Sequence, residues 1–319
     1  MKLCTFEIRT HLGRHRRLGA VLPVGILDLN FACALRFAEG GERRPQEVAD
    51  VLLPANMLDL LRAGARTEAT VAFYLRTRPE HGMNDETLLY SPNQVRLLAP
   101  LPNPPSVRDF FAFEEHVKKG FEKRGEPMPG EWYEMPVYYK GAHHNIVGTD
   151  QDVPWPSFTE RFDYELELAA VIGKEGRNIP AENAREYIAG YTVMNDFSAR
   201  DIQRREMRVR LGPAKGKDWC TALGPWLVTA DEINDPYSLR MAARVNGESW
   251  SQGNSSAMHW KFEQMIEFLS RDDTIYPGDV IGSGTVGTGC GLELDRWVRR
   301  GDLMELEIEK IGVLRNRVV

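Results

Sequence analysis

The stretch DYELELAAVIG, residues 163–173, constrains the fold more than any other part of the chain. Its second half is apolar enough for a buried strand, yet Asp163, Glu165 and Glu167 stand at alternate positions. Side chains alternate faces along a strand, so the three carboxylates share one face while Tyr164, Leu166 and Leu168 take the other. Two outcomes are open. The strand lies at a surface with its acids in water, or it gathers the acids around a positive charge, since burying neighbouring unpaired carboxylates is expensive. A hard divalent cation that favours carboxylate oxygen would serve as the centre in the second case.

The rest of the chain is rich in short β-like runs. After a proline-rich seam, LAPLPNPPS at residues 98–106, come MPVYYKG, HNIVG, YELELAAVIG, PWLVTA, DVIGSGT and LMELEIEKI, each cut by glycine, proline or aspartate. Asn246-Gly247 predicts a tight hairpin, because a two-residue turn needs positive φ. AENAREYIAG reads as a helix, and so does WKFEQMIEFLS, with Phe262, Met265, Ile266 and Leu269 on one side. Before the seam, CTFEIR and LGAVLPVGILDLN read as strands and PQEVADVLLPANMLDLLRAGAR as short amphipathic helices. The expectation is a mainly β, α+β chain. A small N-terminal α+β domain (residues 1–98) precedes a domain (residues 99–319) built on a rolled, barrel-like sheet rather than on βαβ units.

Several function classes are disfavoured. A net charge of −6 argues against general affinity for nucleic acid or anionic membrane, and the basic run ARDIQRREMRVR has no accompanying exposed aromatics. There is neither a Walker A loop nor a G-x-S-x-G elbow. Four scattered cysteines, at 4, 33, 220 and 290, predict neither a disulfide framework nor a thiolate zinc site. The start MKLCTFEIRT is too polar for a secretory leader, and no apolar run approaches the ~20 residues that span a bilayer. These features lead us to expect a reduced, cytoplasmic protein.

Two further stretches bear on the acids. In YTVMNDFSARDIQRR (191–205), Asp196 ends a strand-like run, as a helix N-cap or as a ligand. Arg200, Arg204, Arg205, Arg208, Arg210, Lys215 and Lys217 follow it, as a solvated basic face or as an anion-binding wall. In VRDFFAFEEHVKKGFEK (107–123), Phe110, Phe113, Val117 and Phe121 predict a helical core stripe. On such a helix Asp109 and His116 share a flank, ~10 Å apart along the axis.

Taken together, DFFAFEEH, the Tyr-x-Gly of YYKGAHH, DYELELAAVIGK, MNDFSARDIQ, LGPAKGKDWCTALGPW, PGDVIGSGT and LELD resemble the fumarylacetoacetate hydrolase superfamily from about residue 101 to the C-terminus. The resemblance implies a rolled-sheet catalytic fold, usually a homodimer, with one divalent ion per subunit: Mg2+, or Mn2+ or Ca2+. It places Asp109, Glu165, Glu167 and Asp196 on the metal and leaves Asp163 as a surface acid or a support behind the ligands. It makes His116 a general base oriented by Glu293, as in the longer members of the family. Arg200, Gln203 and Lys217 would polarise carbonyl oxygens and stabilise an enolate, and Tyr139 and Thr285 would contact substrate. Where the tyrosine-pathway hydrolase carries phenols this chain has Phe111 and Met207, and that enzyme's substrate-binding arginine falls near Gly125, beside Arg124.

The activity so implied is hydrolysis of a C–C bond in a 1,3-diketo acid of the fumarylacetoacetate, fumarylpyruvate or acylpyruvate kind, as in aromatic breakdown. The alternative within the family is isomerisation or decarboxylation of a 2-oxo acid, of the 2-hydroxyhepta-2,4-diene-1,7-dioate isomerase or oxaloacetate decarboxylase type, which needs enolate stabilisation but no water-activating base. A metal-stabilised dimeric binding protein without turnover is the third reading. His143 and His144 are expected to line a pocket or sit solvated at a strand edge.

Overall fold

Glycine turns the N-terminal chain back on itself twice. β1 (Lys2–Thr10) meets β2 (Gly13–Leu22) in register Thr10↔Gly13, and β2 meets β3 (Gly25–Asp28) at Leu22↔Gly25. Gly25 has φ +149 and packs against the Tyr90 carbonyl, where a Cβ would collide. The computed structural model describes residues 1–64, 71, 79–82 and 85–319. Among the described residues, three short helices follow β3: α1 (Leu29–Glu39), α2 (Pro45–Leu52) and α3 (Met57–Ala63). The last two residues of the predicted helical stretch, Ala65 and Arg66, lie outside the described residues.

The remaining strands of use here are β4 (Leu89–Tyr90), β5 (Val107–Phe110), β6 (Tyr138–Gly141), β7 (Leu166–Ile172), β8 (Ile188–Asp196), β9 (Thr221–Thr229), β10 (Arg240–Val245), β11 (Glu248–Asn254), β12 (Val280–Gly282), β13 (Leu303–Ile308) and β14 (Gly312–Arg317). The largest sheet is an open path, β4-β3-β2-β1-β9-β8-β7-β12-β5-β6, into which β1 enters by pairing with β9. A second sheet runs β11-β10-β13-β14. Asn246 (φ 51) and Gly247 (φ 79) turn β10 into β11 as the sequence predicts. Sheet therefore dominates an α+β architecture, and no closed barrel forms among the described residues.

Beyond Glu167, β7 is apolar on both faces because both are covered. Leu166, Leu168, Ala170 and Ile172 enter one core cluster, while Ala169 and Val171 enter another shared with Leu27, Leu29 and Val280. Glu165 and Glu167 occupy the start of this second face, so the acids continue a buried surface. The solvent-facing alternative for this strand does not hold: Asp163 and Glu167 are 0% exposed and Glu165 is 4%.

Two local expectations change. The stretch 107–123 is not one helix: β5 covers Val107–Phe110, and α4 begins only at Glu114, running to Arg124. Phe110, Phe113 and Val117 still reach the core, but from a strand, a helix cap and a helix in turn. Asp109 and His116 thus stand on different elements, because pairing of β5 with both β12 and β6 overrides the helical periodicity. AENAREYIAG forms a 3-10 segment, Ala181–Tyr187, and enters β8 at Ile188. WKFEQMIEFLS does form a helix, Phe262–Ser270, with its four predicted apolar residues buried.

Candidate active site

Three strands deliver the acids. Asp109 lies on β5, Glu167 near the start of β7 and Asp196 at the end of β8, while Glu165 precedes β7 and bridges to Cys290. Between β5 and β7 runs β12, where Gly282 pairs with Asp109 on one side and Ala169 on the other. A Cβ on Gly282 would collide with Asp109 Oδ1 and stand 3.0 Å from Glu167 Oε2. The missing side chain is therefore what lets the carboxylates close in. Donor oxygens of Asp109, Glu165, Glu167 and Asp196 all lie within 4.8 Å of one another.

Two cations face them. Lys217 Nζ reaches Asp196 Oδ2 at 2.5 Å and also Glu165 Oε2. Arg200 Nη2 lies 2.8 Å from Glu165 Oε1, its Nε donates to Asp163 Oδ2 at 2.7 Å, and its Nη1 donates to Gln203 Oε1 at 3.0 Å. Neutral donors complete the lining. Tyr139 Oη donates to Asp196 Oδ2 at 2.7 Å, Gly284 N to Asp109 Oδ1 at 3.2 Å and Thr285 Oγ1 to Glu167 Oε1 at 3.4 Å.

This balance leaves the acids under-compensated. Burial, then Asp196, holds the Asp109 carboxyl well above the usual range, and burial with Asp109 and Glu165 does the same to Glu167. Asp196 is also raised by burial, although Lys217 opposes the rise. For Glu165 burial acts in the same sense, but Arg200 and Lys217 outweigh it and pull the carboxyl down. Desolvation disfavours a charged Lys217, yet Asp196 and Glu165 more than offset it and keep the ammonium protonated. Glu167 Oε2 and Asp196 Oδ1 are buried without a hydrogen-bond partner. Four carboxylates meeting two cations, with two orphaned oxygens, fit a divalent ion with oxygen ligands.

His116 sits in the first turn of α4, with Nε2 3.9 Å from Glu165 Oε1 and Nδ1 3.1 Å from Glu293 Oε2. Glu293 belongs to a single turn, Gly291–Leu294, that directly follows Cys290. Burial raises its carboxyl, but the neighbouring His116 more than offsets this and leaves it lowered. Phe111 packs edge-on to the imidazole at 5.3 Å between centroids. Met207 is 40% exposed, about two turns beyond Arg200 on the helix Arg200–Val209. Arg204, Arg205, Arg208 and Arg210 are exposed on the same segment.

The sequence reading under-reads several residues. Asp163 is no surface acid: it accepts Arg200 Nε, Gly291 N at 2.7 Å and Leu292 N at 3.0 Å, joining the cation on Glu165 to the turn that carries Glu293. Asp196 is not a helix cap; Ala199 is the N-cap residue, and the Asp196 carboxylate turns to Lys217 and Tyr139. Asn195 Oδ1 accepts Glu165 N at 3.0 Å and fixes the backbone there. No spacing rule marks Asn195, Cys290 or Gly282, which act through neighbours remote in sequence. His143 ties the proline seam through Nδ1 to Pro104 O at 3.0 Å, and His144 is exposed beside it.

Residues 106–319 match the family described as Fumarylacetoacetate (FAA) hydrolase C-terminal. The chain is 35% identical over 321 residues, 100% of its own length and 92% of the relative's, to oxaloacetate tautomerase FAHD2A, mitochondrial, of Homo sapiens. It is 36% identical over 241 residues, 74% of this chain and 77% of the relative, to oxaloacetate tautomerase YisK of Bacillus subtilis. The structure of fumarylpyruvate hydrolase from Pseudomonas aeruginosa in complex with Mn2+ and pyruvate superposes with TM-score 0.60 at 26% identity, covering 70% of this chain and 91% of that one. Among the described residues, no helix is long and apolar enough to cross a membrane.

Proposed function

The chain belongs to the fumarylacetoacetate hydrolase superfamily, and from that premise we propose that it is a divalent-metal-dependent tautomerase of a short 2-oxo diacid of the oxaloacetate kind. One observation carries the reading: Lys217 and His116 converge on the same carboxylate, Glu165, so an enolate-stabilising cation and a proton carrier share one place. Two relatives named as oxaloacetate tautomerases, one matched over the whole chain and one over 74% of it, favour this chemistry over C–C cleavage.

Asp109, Glu165, Glu167 and Asp196 would hold the metal, which when bound supplies Lewis-acid charge against the 2-oxo and carboxylate oxygens. The protein's own groups do the rest. The charge of the Glu293 carboxylate, 3.1 Å from Nδ1, favours the imidazole proton on that nitrogen without a formed hydrogen bond, which leaves the Nε2 lone pair free toward the acids. Nε2 takes the proton from the enol hydroxyl while the Lys217 ammonium meets the oxygen's charge. The electron pair then closes to C2=O as C3 takes the proton back from the imidazolium, so nothing is gained or lost overall. Phe111, against the ring, keeps water from this face. Arg200 and Gln203, being engaged with Asp163, Glu165 and each other, act by holding Glu165 in place.

A second reading, hydrolysis of a diketo acid, is favoured by the His116–Glu293 pair itself, because activating water needs an oriented base. Near-ultraviolet loss of enol oxaloacetate, corrected for the spontaneous rate, tests both against fumarylpyruvate and acetylpyruvate. Chelator-sensitive ketonisation that drops ~10²–10⁴-fold in His116→Ala, with metal affinity kept, is expected. Faster cleavage of either diketo acid would replace the first reading with the second. Inactivity on all three would overturn both.

A further inference from the structure

We propose that His116, Cys290 and Glu293 form a second cation site, separate from the acid cluster, for a borderline-soft divalent ion of the zinc class. Their donor atoms, one nitrogen, one sulfur and one oxygen, lie within 4.8 Å of one another, and all three residues are buried. Sγ of Cys290 is 3.3 Å and Nδ1 of His116 3.1 Å from Glu293 Oε2. Ligands held at ~2.0–2.3 Å around a tetrahedral zinc stand about 3.3–3.8 Å apart, so little movement is needed. The Nδ1–Oε2 approach is off the line of the ring N–H, and Nδ1 is left buried without a hydrogen-bond partner.

The donors separate this site from its neighbour by chemistry. Thiolate and imidazole favour zinc, cobalt or copper over magnesium, whereas the acid cluster offers oxygen alone. Asp163 pins the turn beside it by accepting Gly291 N and Leu292 N, so two of the three ligands are held before any ion arrives. On binding, the Cys290 thiol gives its proton to solvent and Nδ1 donates its lone pair to the ion. The imidazole proton then resides on Nε2. An imidazole in that state has no acceptor facing the acids, so the ion would inhibit. This consequence rests on the proposed role of Nε2; binding does not.

Cobalt(II) titration under saturating Mg2+ reads the site directly, since only a thiolate ligand produces thiolate-to-cobalt charge-transfer absorption. One equivalent should give that band, which Zn2+ displaces and Cys220→Ser retains. Cys290→Ser should abolish the band, and Glu293→Gln should weaken cobalt binding ~10–100-fold. Zn2+ added over Mg2+ should slow wild-type turnover, and its inhibition constant should rise ~100-fold in Cys290→Ser relative to that variant's own zinc-free rate. No band in the wild type, or a band surviving in Cys290→Ser, overturns the site. A Cys290-dependent band without inhibition leaves the site standing and removes Nε2 from the proposed reaction.

Discussion

Asp163 offers the sharpest test of how the centre is held together. Its carboxylate is fully buried and accepts four donors: Arg200 Nε at 2.7 Å, Gly291 N at 2.7 Å, Tyr164 N at 2.9 Å and Leu292 N at 3.0 Å. Asp163→Asn keeps the shape but turns one oxygen into an NH2 group, which must face either the guanidinium or a backbone N–H. One donor pair is then set against another, and at least one buried N–H goes without an acceptor, at about 1–3 kcal/mol. Arg200 also loses a charged partner, and breaking a buried ion pair from one side costs about 3–5 kcal/mol. Glu165 and Gln203 still hold the guanidinium, so about 3–5 kcal/mol is the expected total. With a urea slope of ~3 kcal/mol/M, the unfolding midpoint should fall by about 1–1.7 M. The assay is urea denaturation followed by tryptophan fluorescence and circular dichroism on metal-free protein. A midpoint within ~0.3 M of wild type, with unchanged slope, would refute the claim that this carboxylate ties the two halves of the site together.

Further outcomes follow from the same geometry. Glu167→Gln keeps the size of a side chain whose Oε2 is orphaned, and should weaken divalent binding at least ~100-fold by calorimetry, while the change in unfolding midpoint is slight because the raised carboxyl it replaces is already inclined to the neutral form. Asp109 and Glu167 have raised carboxyls, so the metal-free protein retains protons there that an entering cation expels. Metal affinity should therefore climb with pH, about tenfold per unit for each proton released, and binding enthalpies should vary with the ionisation enthalpy of the buffer. Gly282→Ala should fold yet lose metal, because its methyl meets Asp109 and Glu167; retained affinity in dialysis would show that the carboxylates can part to admit it.

Much of the site is written locally. Alternation places Glu165 and Glu167 on one face of a strand whatever that strand packs against, and the Asn246-Gly247 turn follows from backbone sterics alone. The family motifs also bring Lys217, Tyr139 and Thr285 into the reading before any contact is known, and the structure gathers all three around the acids. Other features are not local. Whether an acidic face meets water or a second core depends on what covers it, and Ala169 and Val171 reveal the cover only once the cluster of Leu27, Leu29 and Val280 is assembled.

The sequence by itself determined a strand-rich chain with no Walker A loop and a set of carboxylates, a histidine and a lysine suited to a hard cation and an enolate. Tertiary structure decided the rest. Residues 107–110 became a strand because β12 and β6 lie on either side of them, although Phe110 opens a helical repeat with Phe113, Val117 and Phe121. Asp163 became a buried joint because Arg200 and the turn at Gly291 converge on it from distant parts of the chain. Local periodicity reports which face a residue occupies; the partner on that face is set by contacts many residues away, which no short window of sequence contains.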